Sequence, residues 1–341
     1  MNATSGDPRL TVPGAEEIPA ASRSLATRML RVIKGRREIF TVYAIALVLL
    51  AIDVYLQPEV LSIRQLNVQT AATLTLIIVA AGQTLVILSG GIDLSVGGIV
   101  TLSSCFAATR LSGEHGSMAI WLVLIPLIGL GAGILNGLLI AYRGMQSFVV
   151  TLATWSIWNG VALIVLPQEG GTVPPSFTRA MNTKVGEIGI PVLAVLFLAL
   201  LWVWFRSAPW GSRIAAVGSN PRSAFLSGIP VRFTLLLAYA LSGMLAAIAG
   251  LFLVSQTSGA SPLVGGEYVL SSVAAVVVGG VALSGGRGSF VGVIAGAYVL
   301  TLISSVVFGL GLESYWQPLL TGILLVSAVA ASTFVNRNSE G

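Results

Sequence analysis

Ten stretches of about 16 to 23 almost uncharged residues run through this 341-residue chain: 39–56, 70–89, 94–109, 119–141, 147–166, 189–205, 233–254, 269–284, 289–309 and 316–335. A helix needs roughly 20 mostly apolar residues to cross the hydrocarbon of a bilayer, so each stretch reads as a membrane span. Only helices and closed barrels satisfy their backbone in lipid, and the short alternating segments of a barrel are missing. The expected fold is an all-α polytopic membrane protein with about ten transmembrane helices. Charged residues make up 9% of the chain, against about a quarter in a soluble domain. That excludes a soluble enzyme, a disordered chain and a nucleic-acid binder. Cys105 and His115 are the only residues of their kinds, which excludes an internal disulfide, a zinc cluster and a Ser-His-Asp triad.

Residues 1–38 are polar and irregular, ending in the basic cluster Arg28, Arg31, Lys34, Arg36 and Arg37. They read as a cytoplasmic, disordered tail anchored at the lipid surface by its basic end; a regulatory lipid-binding role is the alternative. The membrane domain is 39–335, and 336–341 is a short cytoplasmic C-terminal tail. With the N-terminus inside and ten crossings, fourteen of the eighteen Lys and Arg residues fall on the inner side. Only Arg64, Arg110, Arg179 and Lys184 fall outside. The positive-inside rule then places both termini in the cytoplasm.

An internal repeat is visible. Gly90-Gly91-Ile92-Asp93-Leu94-Ser95-Val96-Gly97 and Gly279-Gly280-Val281-Ala282-Leu283-Ser284-Gly285-Gly286 both read Gly-Gly-(Ile/Val)-x-Leu-Ser-x-Gly. Each is followed by a ladder of glycines four apart, Gly129, Gly133 and Gly137 in the first half and Gly288, Gly292 and Gly296 in the second. Such ladders let helix backbones approach closely in lipid, and transporters are commonly built from repeats. Asp93 beside the first break has competing readings: a cap for the next helix, since Asp is favoured at helix N-termini, or a group that touches solute or couples to an inner-face partner.

The longest inner connection runs from Arg206 to Arg232. Within it Asn220 suits an N-cap, Pro221 the first helical position and Gly228 the left-handed residue after the last turn, while Pro230 blocks continuation. A short helix over 221–227 follows. Its apolar middle, Ala224-Phe225-Leu226, lies in a loop facing water; it either docks on another protein or folds back on its own bundle.

The resemblance carried by these segments is specific. Gly82-Gln83-Thr84-Leu85-Val86-Ile87-Leu88-Ser89-Gly90-Gly91-Ile92-Asp93-Leu94-Ser95-Val96-Gly97, Gln146-Ser147-Phe148-Val149-Val150-Thr151-Leu152, Ala216-Val217-Gly218-Ser219-Asn220-Pro221, Leu226-Ser227-Gly228-Ile229, Ala274–Gly280 and Leu283–Gly288 together resemble the ribose/xylose/arabinose-type permease subunits of bacterial ABC sugar importers. The likeness extends over roughly residues 60–335. Where that family commonly carries an acidic residue after a Tyr-x-Leu stretch, Tyr268-Val269-Leu270 here runs into Ser271-Ser272. The resemblance implies a permease that is not itself an enzyme, in the bacterial inner membrane. Its partners would be a second permease copy or paralogue, an ATP-binding cassette subunit and a periplasmic solute-binding protein. No Gly-x-x-x-x-Gly-Lys-(Ser/Thr) loop is present, so ATP and Mg would be bound by the partner, with no cofactor in this chain. Arg213, Asn220, Pro221, Ala224, Phe225, Leu226 and Gly228 would couple to the ATPase. The implied solute is a monosaccharide or related polyol, for which Gln83, Asn136, Trp155, Trp158, Asn159 and Gln317 are polar or aromatic candidates within spans. An ion-coupled secondary transporter of a small polar solute is the alternative, supported by the repeat and Asp93.

Overall fold

The computed structural model describes residues 37–112, 117–313 and 315–337. Most of the basic tail, His115 and the last four residues therefore lie outside the described residues. Ten helices of 13 to 27 residues overlap the ten apolar stretches: α1 (Arg37–Leu56), α2 (Ile63–Leu88), α3 (Ser95–Arg110), α4 (Met118–Ala141) and α5 (Ser147–Val165), then α7 (Ile190–Ser207), α10 (Val231–Thr257), α11 (Gly266–Val278), α12 (Phe290–Gly309) and α13 (Trp316–Arg337). Three short helices lie between them: α6 (Pro175–Met181), α8 (Pro209–Ser219) and α9 (Pro221–Leu226), beside a two-stranded hairpin of β1 (Lys184–Val185) and β2 (Ile188–Gly189). Among the described residues six helices are long and apolar enough to cross a membrane: α2, α4, α5, α7, α10 and α12.

α2 is apolar on every side and buried along most of its length, the mark of a helix inside a bundle rather than on its lipid face. α10 is the second axis and packs against α4, α2 and α3; α3 in turn packs on α5, and α11 on α12. α4, α5 and α7 keep one side bare. The glycine ladders set these distances. A Cβ at Gly133 would strike the carbonyl of Tyr239 on α10, and one at Gly137 would lie 2.8 Å from the Cα of Leu236. In the second half a Cβ at Gly279 would stand 2.8 Å from the carbonyl carbon of Gly292, and one at Gly296 would strike the carbonyl of Ala275.

The two repeat segments share one backbone motif. Gly90 and Gly280 have φ of +90° and +82°, a conformation that glycine adopts without a Cβ penalty. Gly90 N donates to Ile87 O and Gly91 N to Val86 O; Gly280 N donates to Val277 O and Val281 N to Val276 O. Each helix thus ends in the same paired closure around a left-handed glycine. That closure corrects the eighth span, expected to run to 284. The helix stops at Val278, and its 13 residues give a rise of about 20 Å, short of the roughly 30 Å of hydrocarbon. α11 also begins inside the protein. Gly265 N donates to the Thr101 hydroxyl on α3 at 3.0 Å, so the loop 258–265 dips beside the middle of α3, a discontinuous span of the kind found in transporters.

The connections around residues 167–189 and 258–265 are stitched together. Gly170 and Ala260 pair through two backbone hydrogen bonds, Thr172 N donates to Ala108 O, and the Asn67 side chain on α2 clamps the hairpin at Glu187 O and Gly189 N, both at 2.8 Å.

Candidate functional site

The turn from Ser89 to Leu94, between α2 and α3, is a polar node in an apolar bundle. Asp93 is fully buried. Its Oδ1 accepts from Ser95 N at 3.0 Å and Ser95 Oγ at 2.6 Å, and its Oδ2 accepts from Ser242 Oγ on α10 at 2.9 Å. Asn136 Nδ2 on α4 donates to Ser95 Oγ at 2.8 Å, and Thr151 Oγ1 on α5 donates to Ile92 O at 3.3 Å. The Tyr239 hydroxyl lies over the Cα of Gly91 beside Ser147. One turn thereby ties α2, α3, α4, α5 and α10 together. Donors to a carboxylate at the start of a helix stabilise the charge without a cation. Asp93 stands one residue before Leu94, the N-cap of α3, which itself makes no side-chain cap bond, and its contacts tie α3 to α10. Sequence reasoning missed Ser242; a Ser-Gly pair inside an apolar run was its only signal.

Asp53 on α1 is the other buried intramembrane carboxylate. Gln57 and Ser305 donate to its Oδ1 and Gln69 to its Oδ2, at 3.0 to 3.3 Å. It joins α1, α2 and α12 through neutral donors.

Of the six solute-path candidates, Gln317 on α13 is exposed, and the other five fall into three places. Asn136 belongs to the Asp93 node. Trp155 and Trp158 flank Gly98 on α3, whose Cβ would stand 2.8 Å from the Trp155 carbonyl and 3.0 Å from the Trp158 Cβ, with Asn159 half-buried next to them. Gln83 is fully buried on α2, and no hydrogen bond joins it to the others. A common feature unites them: both polar atoms of Gln83, Asn136 Oδ1, the indole nitrogens of Trp155 and Trp158, and Asn159 Oδ1 are buried without a hydrogen-bond partner among the described residues. Leaving such a group unpaired costs about 1–3 kcal/mol. Beside the connection that pairs Gly170 with Ala260, a pocket of about 330 Å³ is lined by Ser104, Glu169, Thr257 and Ser261.

In the connection from Arg206 to Arg232, α9 is capped as its residues dictate. Asn220 Oδ1 accepts from Ser223 N at 2.9 Å, Gly228 N donates to Phe225 O, Ile229 N donates to Ala224 O, and Gly228 has φ +78°. Its faces differ from the expectation in one residue. Phe225 and Leu226 are 69% and 78% exposed, but Ala224 is only 4% exposed, because that side of α9 packs on α8 and the start of α10. Ala224 therefore belongs to the loop's own packing. Arg213 turns its guanidinium over the Trp210 ring, 5.0 Å from the centroid. Gly218, at the end of α8, was not singled out from the sequence. Its Cβ would strike Leu88 O and stand 2.8 Å from Gly286 N, while Gly286 N itself donates to Leu88 O. The connection thus rests on both repeat turns at once.

Comparison with known proteins identifies the family of the chain. Residues 66–329 match the family model described as branched-chain amino acid transport system / permease component. The ribose import permease protein RbsC of Bacillus subtilis (strain 168) is 38% identical over 259 residues, 74% of this chain and 79% of the relative. The galactose/methyl galactoside import permease protein MglC of Escherichia coli (strain K12) is 34% identical over 310 residues, covering 85% and 92%. The probable ABC transporter permease protein y4mJ of Sinorhizobium fredii (strain NBRC 101917 / NGR234) is 34% identical over 330 residues, covering 94% and 96%. No solved structure gives a significant match.

Proposed function

The chain belongs to the family of branched-chain amino acid transport system permease components, and from that membership we propose that it forms the membrane path of an ATP-driven importer for a monosaccharide or related polyol. The relatives named for ribose and galactose support that solute class. ATP and Mg would be held by an ATP-binding cassette subunit seated on Phe225 and Leu226. A periplasmic solute-binding protein would deliver the sugar to the outer face near Glu169, and a second permease copy or paralogue would cover the bare side of α5. The basic asymmetry supports an inner-membrane protein with both termini in the cytoplasm. Against the ion-coupled alternative, the acceptors of Asp53 and Asp93 are engaged by neutral side chains that tie helices together.

The observation that carries the solute path is the set of buried, unpaired polar atoms on Gln83, Asn136, Trp155, Trp158 and Asn159. If these groups meet hydroxyls or water during transport, apolar replacements remove function without weakening the fold. If they are merely packed, the same replacements are neutral or stabilising, since an unsatisfied group disappears. Gln83→Leu and Asn159→Leu are therefore expected to reach the membrane in parental amounts while uptake of radiolabelled ribose or galactose falls about tenfold, the effect of roughly one hydrogen bond lost in the rate-limiting state. Parental uptake in both variants would remove these residues from the path.

A further inference from the structure

Between α7 and α10 lies an apolar groove of about 450 Å³ that the transport function leaves unused. Trp202, Phe205 and Trp210 line one side, Phe233 and Leu241 the other, and Phe290 forms part of its floor, its ring 5.6 Å from that of Trp202. The groove follows α10 from Phe233 to Leu245. Beyond that point α10 is buried in its own bundle, from Ala246 through Ser255 except Ile248. Twelve residues of rise make a slot roughly 18 Å deep, about three-fifths of the roughly 30 Å hydrocarbon core. It therefore opens at one face of the membrane and closes before it reaches the other.

Its mouth is cationic. Arg213 stands 5.0 Å over the Trp210 ring, and Trp210 and Phe233 approach to 6.1 Å at the entrance. Arg206 follows Phe205 and is held to Gly211 O at 3.4 Å, whereas Arg232, although it precedes Phe233, turns its guanidinium over the Tyr142 ring at the end of α4, 6.0 Å from the centroid. Between Glu187 and Glu267 the sequence contains no carboxylate, so this inner loop offers these arginines no acidic neighbour.

We propose that this groove is a binding site for one anionic phospholipid of the cytoplasmic leaflet, acyl chain against the aromatic wall and phosphate at Arg206 and Arg213. Basic pockets between spans on the cytoplasmic side suit such headgroups. A helix from a second copy would need a slot through both leaflets, and an ATPase does not enter hydrocarbon. The identity of the leaflet rests on the orientation proposed above.

The test uses the full-length protein in mild detergent, offered equal amounts of phosphatidylglycerol and phosphatidylethanolamine and read by native mass spectrometry. The parent should retain phosphatidylglycerol roughly tenfold over phosphatidylethanolamine, as basic side chains at an anionic headgroup dictate. Replacing the two arginines together (Arg206→Gln, Arg213→Gln) should bring the two lipids to equal retention. Leu237→Trp, which fills the slot from a lining position and keeps the arginines, should remove most of both. Equal retention by the parent, or undiminished preference in the double variant, overturns the proposal. So does a Leu237→Trp protein that keeps the lipid but separates into monomers, which would make the groove an interface between copies. Lipid retention is read without transport, so its failure is separable from failure of the importer assignment.

Discussion

Gly133→Leu is expected to remove most of the folded protein from the membrane, whereas Gly131→Leu, two residues away on the same helix, is expected to leave it in place. A Cβ at Gly133 already strikes the Tyr239 carbonyl and stands 2.9 Å from the Cα of Ala240, while one at Gly131 meets nothing within 4 Å. The obstacle at Gly133 is backbone, which cannot rotate away as a side chain can. Overpacking alone costs about 1–3 kcal/mol. Here it also separates α4 from α10 and with them Asn136 from Ser95, exposing the Asp93 node. The amount of monodisperse protein recovered in detergent reads the difference; equal recovery of the two variants would show that the α4–α10 crossing is not close.

The second large effect is placed on the inner loop. The paired change Phe225→Glu and Leu226→Glu should leave the permease folded, since both side chains project from α9 into solvent, yet abolish solute uptake. If the ATPase covers these side chains, two carboxylates become buried without partners, which costs several kcal/mol. Every 1.4 kcal/mol is about tenfold in affinity, so co-purification of the ATPase subunit should fall by at least about a hundredfold. Ala224→Glu would test something else, because Ala224 is packed inside the loop and its replacement disturbs α9 itself. Undiminished co-purification of the paired variant would place the ATPase contact elsewhere.

Which parts of this architecture were readable from the residues follows from the range of the forces that specify them. The ten apolar stretches were readable because transfer into hydrocarbon acts on each segment by itself. The α9 helix was readable because Asn220, Pro221 and Gly228 act within a few residues of one another. The Gly90 and Gly280 turns stood out because left-handed closure demands glycine locally. Other features depend on partners far along the chain. Ala224 is buried because α8 lies against it, and α8 itself is a short helix whose buried face, Gly211, Ile214, Ala215 and Val217, is too small to stand out as a periodic pattern. α6 and the hairpin at 184–189 are fixed by Phe177 burial and by the Asn67 clamp on α2. The shortened α11 was hidden because Val281-Ala282-Leu283 continues its apolar run, although Gly280 has already ended the helix.

The candidate path was legible only as a choice of residue types. Gln, Asn and Trp inside spans were singled out as polar or stacking groups, and those five side chains carry unpaired buried atoms. Their separation into the Asp93 node, the Gly98 flank and the α2 interior depends on helix packing that local patterns do not encode.

The assignment as the path of an ATP-driven sugar importer is tested most directly in proteoliposomes containing this chain with its ATP-binding cassette subunit. ATP is supplied on the ATPase side and the binding protein, loaded with ribose or galactose, on the other. The account predicts that loaded binding protein accelerates ATP hydrolysis, that sugar crosses toward the ATPase side, and that both stop when this chain is omitted. Sugar accumulation driven by an ion gradient without ATP, or hydrolysis indifferent to the loaded binding protein, would contradict it.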